Sequence, residues 1–492
     1  MIRVYLDWNV FSRLEHNDDI YKRLTAILKD DSKYIVPYSP AHLKDLYRSY
    51  KKVGMSGIDG HLEKLQKYSK SLFVVYIIKD VLEFQSLGTR ESMQQHIDAY
   101  DQHEDFDFCV DMITDALGPF STIFDSLFKM QLPNLLLADN YEENGQIANT
   151  KSSELLKSVL GTEETISMKD MIQNMMTISS TLYQDDSYSN WRDGFQQDIK
   201  VSGRIKDKRF NPIETLNENA QKLQKTNFIE LFESMLIGED KKSLFNKIIA
   251  LVRQLDFHGF YPDIIEEGHH LDNIETDYEH ISYATSCDIF IVADKNTKAK
   301  ASLAFELLKL NVRVVTPKEY VEFVEENSAE IEDGQHLIEY LFWISTLEPT
   351  LEINGRNAHY IPSFVLNYFN LASYPIDNPK SVILQKMDTP NRVGILVIEM
   401  EAVVKKLNSF YGTPINEFGK IGDEAYLIAW LTEELVFIKL QLSFGNFTLE
   451  LSQCKKLTRY ENFIKKSKYI IGKVFRKIQY YDNSNNSNNS NK

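Results

Sequence analysis

The sequence predicts an α/β fold: a parallel sheet flanked by helices, interrupted by a long helical insertion and followed by a C-terminal α+β domain. Three observations predict it. Short apolar runs end in an aspartate at Asp7 and again, far along the chain, at Asp294. Residues 277–323 alternate helix, strand, helix, strand at the spacing of a parallel sheet covered on both faces. After residue 335 the pattern changes to β-type runs joined by short turns.

Taken in order, Arg3–Leu6 reads as the first strand. Asn9 to Lys29 has helical spacing through Leu14, Ile20, Leu24 and Ile27 or Leu28. Tyr34–Pro37 reads as a second strand. Ser39-Pro40 is a helix start, with Ser as N-cap and Pro at the first helical position. Residues 60–255 are mainly helical in pattern, with polar breaks at Ser56–Gly60, Gly161–Thr165 and Gln184–Asn190. Tyr278–Ser286 reads as a helix opened by Asp277. Ile289–Ala293 is a buried strand, Thr297–Leu310 a helix, Val312–Val315 a strand and Pro317–Val324 a helix. Further on, Ser381–Met387 and Val393–Met400 read as strands and Ala402–Tyr411 as a helix. Ala425–Leu431, Leu435–Phe444 and Phe447–Leu451 read as antiparallel strands. Residues 455–478 are basic with helical spacing, and the Asn/Ser-rich end is expected to be disordered.

A chain of 492 residues accommodates two or three modules with sizeable cores. With 43% hydrophobic and 26% charged residues it has the profile of a globular protein. No apolar run is long enough for a membrane span, and the N-terminus lacks the apolar core of a signal peptide. Three widely spaced cysteines share no metal-ligand spacing and are expected to be reduced thiols in a cytoplasm. The net charge of −16 argues against a protein that coats nucleic acid, but not against an enzyme with a small contact patch. There is no P-loop, GxSxG or HExxH run.

The chemistry-bearing constellation is a set of acids at strand ends and helix starts. Asp7 directly follows an apolar strand, with Asn9 two residues on; Asp294 follows another. The carboxyl ends of parallel strands are where ligands bind. Capping of the following helix is the bland alternative for Asp7. His42 and Asp45 are three apart on one helix, as are Asp277 and His280 on another, and each pair shares a face. Lys295, Thr297 and Lys298 follow Asp294 and suit phosphate contacts. In the basic segment Lys465, Lys466, Lys473 and Arg476 suit a nucleic-acid contact, against a packed helix with a basic outer face.

The run VYLDWNVFSRL resembles the opening of PIN domains. The run DYEHISYATSCDIFIVADKNTKAKA, continuing to VRVVTPKEYVEFV, resembles their closing half. Asp7, Asp45, Asp277 and Asp294 match, in order, the family's four acidic positions. The resemblance implies a PIN-like nuclease domain assembled from residues 1–55 and 260–330. Residues 56–259 are then the helical insertion, 331–480 the C-terminal domain and 481–492 the tail. It also implies metal-dependent hydrolysis of phosphodiesters, with Mg²⁺ or Mn²⁺ held by the four aspartates. The implied substrate is RNA, in a conditional toxin or anti-phage effector with a regulatory protein partner or a second copy of the chain. Two departures stand out. Asp45 replaces the glutamate more usual in the family, and the insertion is much longer than in a minimal PIN domain.

The physical argument stands beside the resemblance. Phosphodiester hydrolysis develops negative charge on oxygen, which hard cations held by carboxylates neutralise. Several acids brought together repel one another unless a cation or protons offset them. The competing reading is a non-catalytic scaffold of the same fold that acts through protein or nucleic-acid binding. A haloacid-dehalogenase-type phosphohydrolase ranks lower, because Asn9 stands where that chemistry needs a second Asp.

Overall fold

The computed structural model describes residues 1–77, 81–103, 131–133, 165–167, 192–193, 196–197, 205, 211–222, 225–236, 243–263, 271–327, 331–376, 381–387, 395–421, 423, 425–432, 436–443 and 446–453. The chain divides into two compact units. One holds Met1–Val4, Asp18–Ile35 and Lys318–Lys492; the other holds Tyr5–Asn17 and Val36–Pro317.

Among the described residues a four-stranded parallel sheet runs Tyr34–Ile35, Ile2–Leu6, Ile289–Ile291, Arg313–Val315. Every residue of Ile2–Leu6 and of Ile289–Ile291 is buried. Continuous burial on both faces is what a parallel sheet covered by helices requires, so these strands do not alternate; Ile289–Ile291 is wholly apolar, and Ile2–Leu6 is apolar except for Arg3.

The helices depart from the sequence expectation in four places. Asn9–Lys29 is not one helix but two, Trp8–Phe11 and Asp19–Leu28. The Asp18 carboxylate starts the second by accepting the N–H groups of Ile20 and Tyr21, and Glu15 takes a left-handed φ of 69° in the connection. The expected Ser56–Gly60 loop is helical. The helix from Pro40 runs to Ser69 and breaks instead at Gly54, with φ 70° and ψ −178°, a backbone state confined to glycine. The expected helical insertion contains a β-hairpin, Leu72–Ile77 paired with Val81–Ser86. It also contains the helices Thr89–His103, Pro212–Lys222, Phe228–Met235 and Leu244–Phe257. The fourth departure concerns Asp277. Its helix starts earlier, at Leu271, and runs to Ala284, because Ile274, Tyr278 and Ile281 repeat at helical spacing and are all buried. Asp277 therefore lies inside the helix rather than at its N-terminus.

The unit that holds Lys318–Lys492 contains an antiparallel sheet. Its order is Asn416–Phe418, Ala425–Leu431, Val436–Ser443, Asn446–Gln453, Ser381–Gln385, Phe369–Pro375, Arg356–Val365, Leu351–Ile353. The helices Gly334–Ile344 and Leu396–Tyr411 supply Leu337, Leu341, Met400, Val403 and Leu407 to its core, against Phe369, Leu384, Trp430, Ile438 and Leu449 of the strands. The expected strand Val393–Met400 is thus overturned from Leu396 onward. Met400, Val403, Val404 and Leu407 recur every three or four residues, and that side is the buried one.

Arg3 is fully buried in this unit. Its Nε lies 3.2 Å from the Glu399 carboxylate, which also accepts from Lys386 Nζ at 3.3 Å. The expected basic helix over 455–478, with Lys465, Lys466, Lys473 and Arg476, lies outside the described residues, as does the expected disordered tail. No helix among the described residues is long and apolar enough to cross a membrane.

Candidate acidic site

The first strand ends at Leu6, and the N–H of Asp7 donates to the carbonyl of Ile291 at 3.0 Å. Asp294 follows that same neighbouring strand by three residues. Asp7 and Asp294 thus stand at the carboxyl edge of adjacent parallel strands. Asp7 occupies an N-cap position, yet its side chain makes no cap hydrogen bond and is only 2% exposed. Asp294 is exposed and does cap its helix, accepting the Thr297 N–H at 2.7 Å.

Two helices bring the remaining acids. Asp45 lies on the Pro40–Ser69 helix, and Asp277 with His280 on Leu271–Ala284. Three polar links join these helices side by side. Lys44 pairs with Glu279, the Asp45 carboxylate accepts from His280 Nε2 at 2.9 Å, and Arg48 donates to Thr276 Oγ1 at 2.6 Å. Arg48 also donates to the other Asp45 oxygen at 2.8 Å. Both oxygens of Asp45 are therefore directed by protein donors.

Electrostatics show which acids share surroundings. Burial pushes Asp7 up from 3.8 to about 6; the negative charge of Asp45 adds to the rise, and His280 opposes it. Asp277 is raised well above the carboxylate range, first by burial and then by Asp7, Asp263 and Asp45, with Lys300 opposing. Asp7, Asp45 and Asp277 are thus a mutually repelling trio, and Asp263 adjoins it. Asp294 acts on Asp263, whose carboxyl is also raised, chiefly by burial. The structure brings three of the four expected acids into one field and leaves Asp294 at the rim.

Behind the acids lies a buried cationic counterweight. Lys300, 1% exposed, pairs with Asp256 at 3.2 Å and with Asp263; Arg192 pairs with Asp256 at 3.1 Å. Lys300 also stands 5.3 Å from the centre of the Tyr278 ring.

The expected flanking residues fall into two groups. Asn9 and Lys295 are exposed, Lys298 is partly exposed and Thr297 is buried. His42 and His280 are both fully buried, so each acts on protein atoms: His42 Nε2 on the Leu6 carbonyl at 2.9 Å, His280 Nε2 on Asp45. Burial and the neighbouring His280 hold the His42 imidazole well below the ordinary range, hence neutral.

Residues absent from the sequence expectation are Tyr5, Ser39, Arg48, Asp256, Asp263 and Lys300. Tyr5 had a legible signal: two residues before Asp7 on a strand, it shares a sheet face with it. The others meet the site only through tertiary packing.

Among the described residues no three His, Cys, Asp or Glu side chains are grouped closely enough to hold a metal ion as placed. The donor chemistry still fits a hard divalent cation. The donors are carboxylate oxygens, and burial and mutual repulsion raise Asp7 and Asp277 in the way a bound cation would relieve. Compared with known proteins, the chain matches no family model, no curated protein and no solved structure.

Proposed function

We propose that this protein is a metal-dependent nuclease of PIN-like type that hydrolyses phosphodiester bonds in RNA. The observation that carries the reading is the repelling trio Asp7, Asp45 and Asp277 at the carboxyl edge of a parallel sheet. Mutually repelling, largely buried carboxylates cost stability in a metal-free protein, which favours sites that exist to bind something positive. Asp7 and Asp277 would hold Mg²⁺ or Mn²⁺ with Asp45, and Asp294 would contribute from the rim. A bound cation supplies neutralisation of charge on the phosphate and a more acidic water. The chain's own part is to fix Asp45 through Arg48 and His280 and to keep Asp7 dry. Lys295 and Lys298, on the helix capped by Asp294, suit contact with substrate phosphates. The choice of RNA, and a role as a conditional toxin or defence effector, rest on the sequence resemblance.

One observation favours a second reading, a PIN-like scaffold without catalysis: both Asp45 oxygens are already engaged, and among the described residues no three donors close on one point.

Incubation of the full chain and of Asp7→Asn with end-labelled RNA and DNA, in Mg²⁺, Mn²⁺ or chelator, separates the readings. Cleavage of RNA by wild type in metal alone is expected, reduced at least about a hundredfold in the variant. Cleavage that survives chelator, or is equal in Asp7→Asn, defeats the nuclease. Absence of both cleavage and divalent-ion binding by calorimetry selects the scaffold.

A further inference from the structure

We propose that His280 is a positioning residue for the Asp45 carboxylate, and that the buried Tyr5 hydroxyl fixes which of its ring nitrogens carries the proton. The functional meaning rests on the reading of Asp45 as part of a cation site.

The argument follows the protons along a chain of buried groups. Asp45 Oδ2 lies 2.9 Å from His280 Nε2, and His280 Nδ1 lies 2.9 Å from Tyr5 Oη. Tyr5 Oη lies 2.6 Å from Ser39 Oγ. The Ser39 N–H donates to His42 Nδ1 at 3.2 Å, and His42 Nε2 faces the Leu6 carbonyl at 2.9 Å. The two ends of this chain only accept. A carbonyl has no proton, so His42 carries one on Nε2 and its Nδ1 is the lone pair that takes the Ser39 N–H. A carboxylate has none either, so His280 carries one on Nε2. In a neutral ring Nδ1 is then a lone pair, and the Tyr5 hydroxyl donates to it. The Tyr5 hydroxyl is fully buried and carries one proton. Tyr5 has no second proton, so the Ser39 hydroxyl donates to Tyr5. Ser39 Oγ also lies 3.1 Å from His42 Nδ1, so its proton has two acceptors; with the His280 ring neutral, the N–H of His280 is left pointing at Asp45.

A histidine that lacks a partner on one nitrogen exchanges between two tautomers, and only one of them donates to Asp45. Tyr5 removes that freedom, as a carboxylate or carbonyl behind a ligand-directing histidine does elsewhere. The device matters here because Asp45 is short. A side chain one methylene shorter than glutamate has less reach, so the pose in which its oxygens are held decides whether they meet a shared ion. Rings around the chain keep water out: Tyr5 packs against Phe290 at 5.9 Å between centroids, and His42 against Phe11 at 5.7 Å.

The test uses the full chain labelled with ¹⁵N-histidine, with two-bond ¹H–¹⁵N correlation at about pH 8, where an ordinary imidazole is neutral. The signal that disappears in His280→Gln is assigned to His280. The Nε2–H tautomer is expected in wild type and a mixture in Tyr5→Phe. Calorimetry with Mn²⁺ alone is the second readout. Affinity should fall about tenfold in Tyr5→Phe and about 10–100-fold in His280→Ala. His280→Gln should recover most of it, because the glutamine amide N–H reaches the place of Nε2–H. An Nδ1–H tautomer in wild type, or wild-type Mn²⁺ affinity in His280→Ala, overturns the proposal. The failures are distinguishable: an intact Nε2–H tautomer in a protein that binds no Mn²⁺ overturns the cation site, whereas Mn²⁺ binding with the Nδ1–H tautomer overturns the positioning role.

Discussion

The backbone N–H of Asp7 donates to the carbonyl of Ile291 at 3.0 Å, so a residue near the start of the chain is tied to the end of a strand from its later part. This bond carries the Asp7 carboxylate to the sheet edge where Asp294 emerges. It also sets Asp7 under the two helices that bear Asp45 and Asp277.

Asp7 makes the metal-free protein sensitive to pH. Its carboxyl titrates at about 6 when folded, against an ordinary 3.8. The folded state therefore holds a proton that the unfolded state has released. The associated stability is fully present below 3.8 and is lost as pH rises through about 6, by about 3 kcal/mol. In chelator, urea denaturation should show wild type losing stability across that window. Asp7→Asn should lack this loss and be the more stable protein at neutral pH. A wild-type curve that is flat or rises there, with no gain in the variant, contradicts the buried-repulsion account.

Glu399 stands between two fully buried cations, Arg3 and Lys386. Replacing it with Leu leaves both positive charges without the carboxylate that faces them, and should destabilise the fold by about 3–5 kcal/mol. Lys386→Met leaves Arg3 facing Glu399 and should cost markedly less. Chemical denaturation of the two variants gives the comparison, and equal costs would refute the shared-anion arrangement.

Lys300 offsets the acids behind the site. Lys300→Met leaves the Asp256 carboxylate facing Arg192 and removes the ammonium that pairs with the Asp263 carboxylate. A loss of about 3 kcal/mol or more is expected in chelator. Mn²⁺ should restore part of it, since a cation near Asp277 and Asp263 takes over the same role. Melting temperatures with and without Mn²⁺ measure this, and a variant as stable as wild type in chelator would refute it.

Gly54 breaks the Pro40 helix at φ 70° and ψ −178°, and an added Cβ would meet nothing within 4 Å. The cost of Gly54→Ala is therefore backbone strain alone, about 1–3 kcal/mol. A helix straightened at no cost in stability, read by urea denaturation, would show that the kink is not imposed by its surroundings.

Two strands of the parallel sheet were legible because Val4–Leu6 and Ile289–Ala293 are apolar runs that end at an aspartate. The Ser39-Pro40 start was legible from cap chemistry. The split before Asp19 and the break at Gly54 were not, since helical spacing alone does not show where a cap or a glycine interrupts it. The strands between 351 and 375 were missed for a related reason. Arg356–Val365 mixes buried and exposed residues without strict alternation, and its register with Phe369–Pro375 shifts between Tyr360 and Val365. Asp7, Asp45 and Asp277 were readable as strand-end or helix-face acids. Tyr5, Ser39, Arg48, Asp263 and Lys300 were not read as parts of the site.

By itself the amino-acid order determined which segments are strands or amphipathic helices and that acids stand at their ends, because hydrophobic period and cap chemistry act over a few neighbouring residues. Only the tertiary structure decided that Asp7, Asp45 and Asp277 repel one another, that Asp294 stays at the rim, and that two buried histidines point at a carboxylate and a carbonyl. Those relations depend on through-space distance between residues remote in the chain, and burial, which strengthens charge interactions by removing water, exists only once the chain has folded.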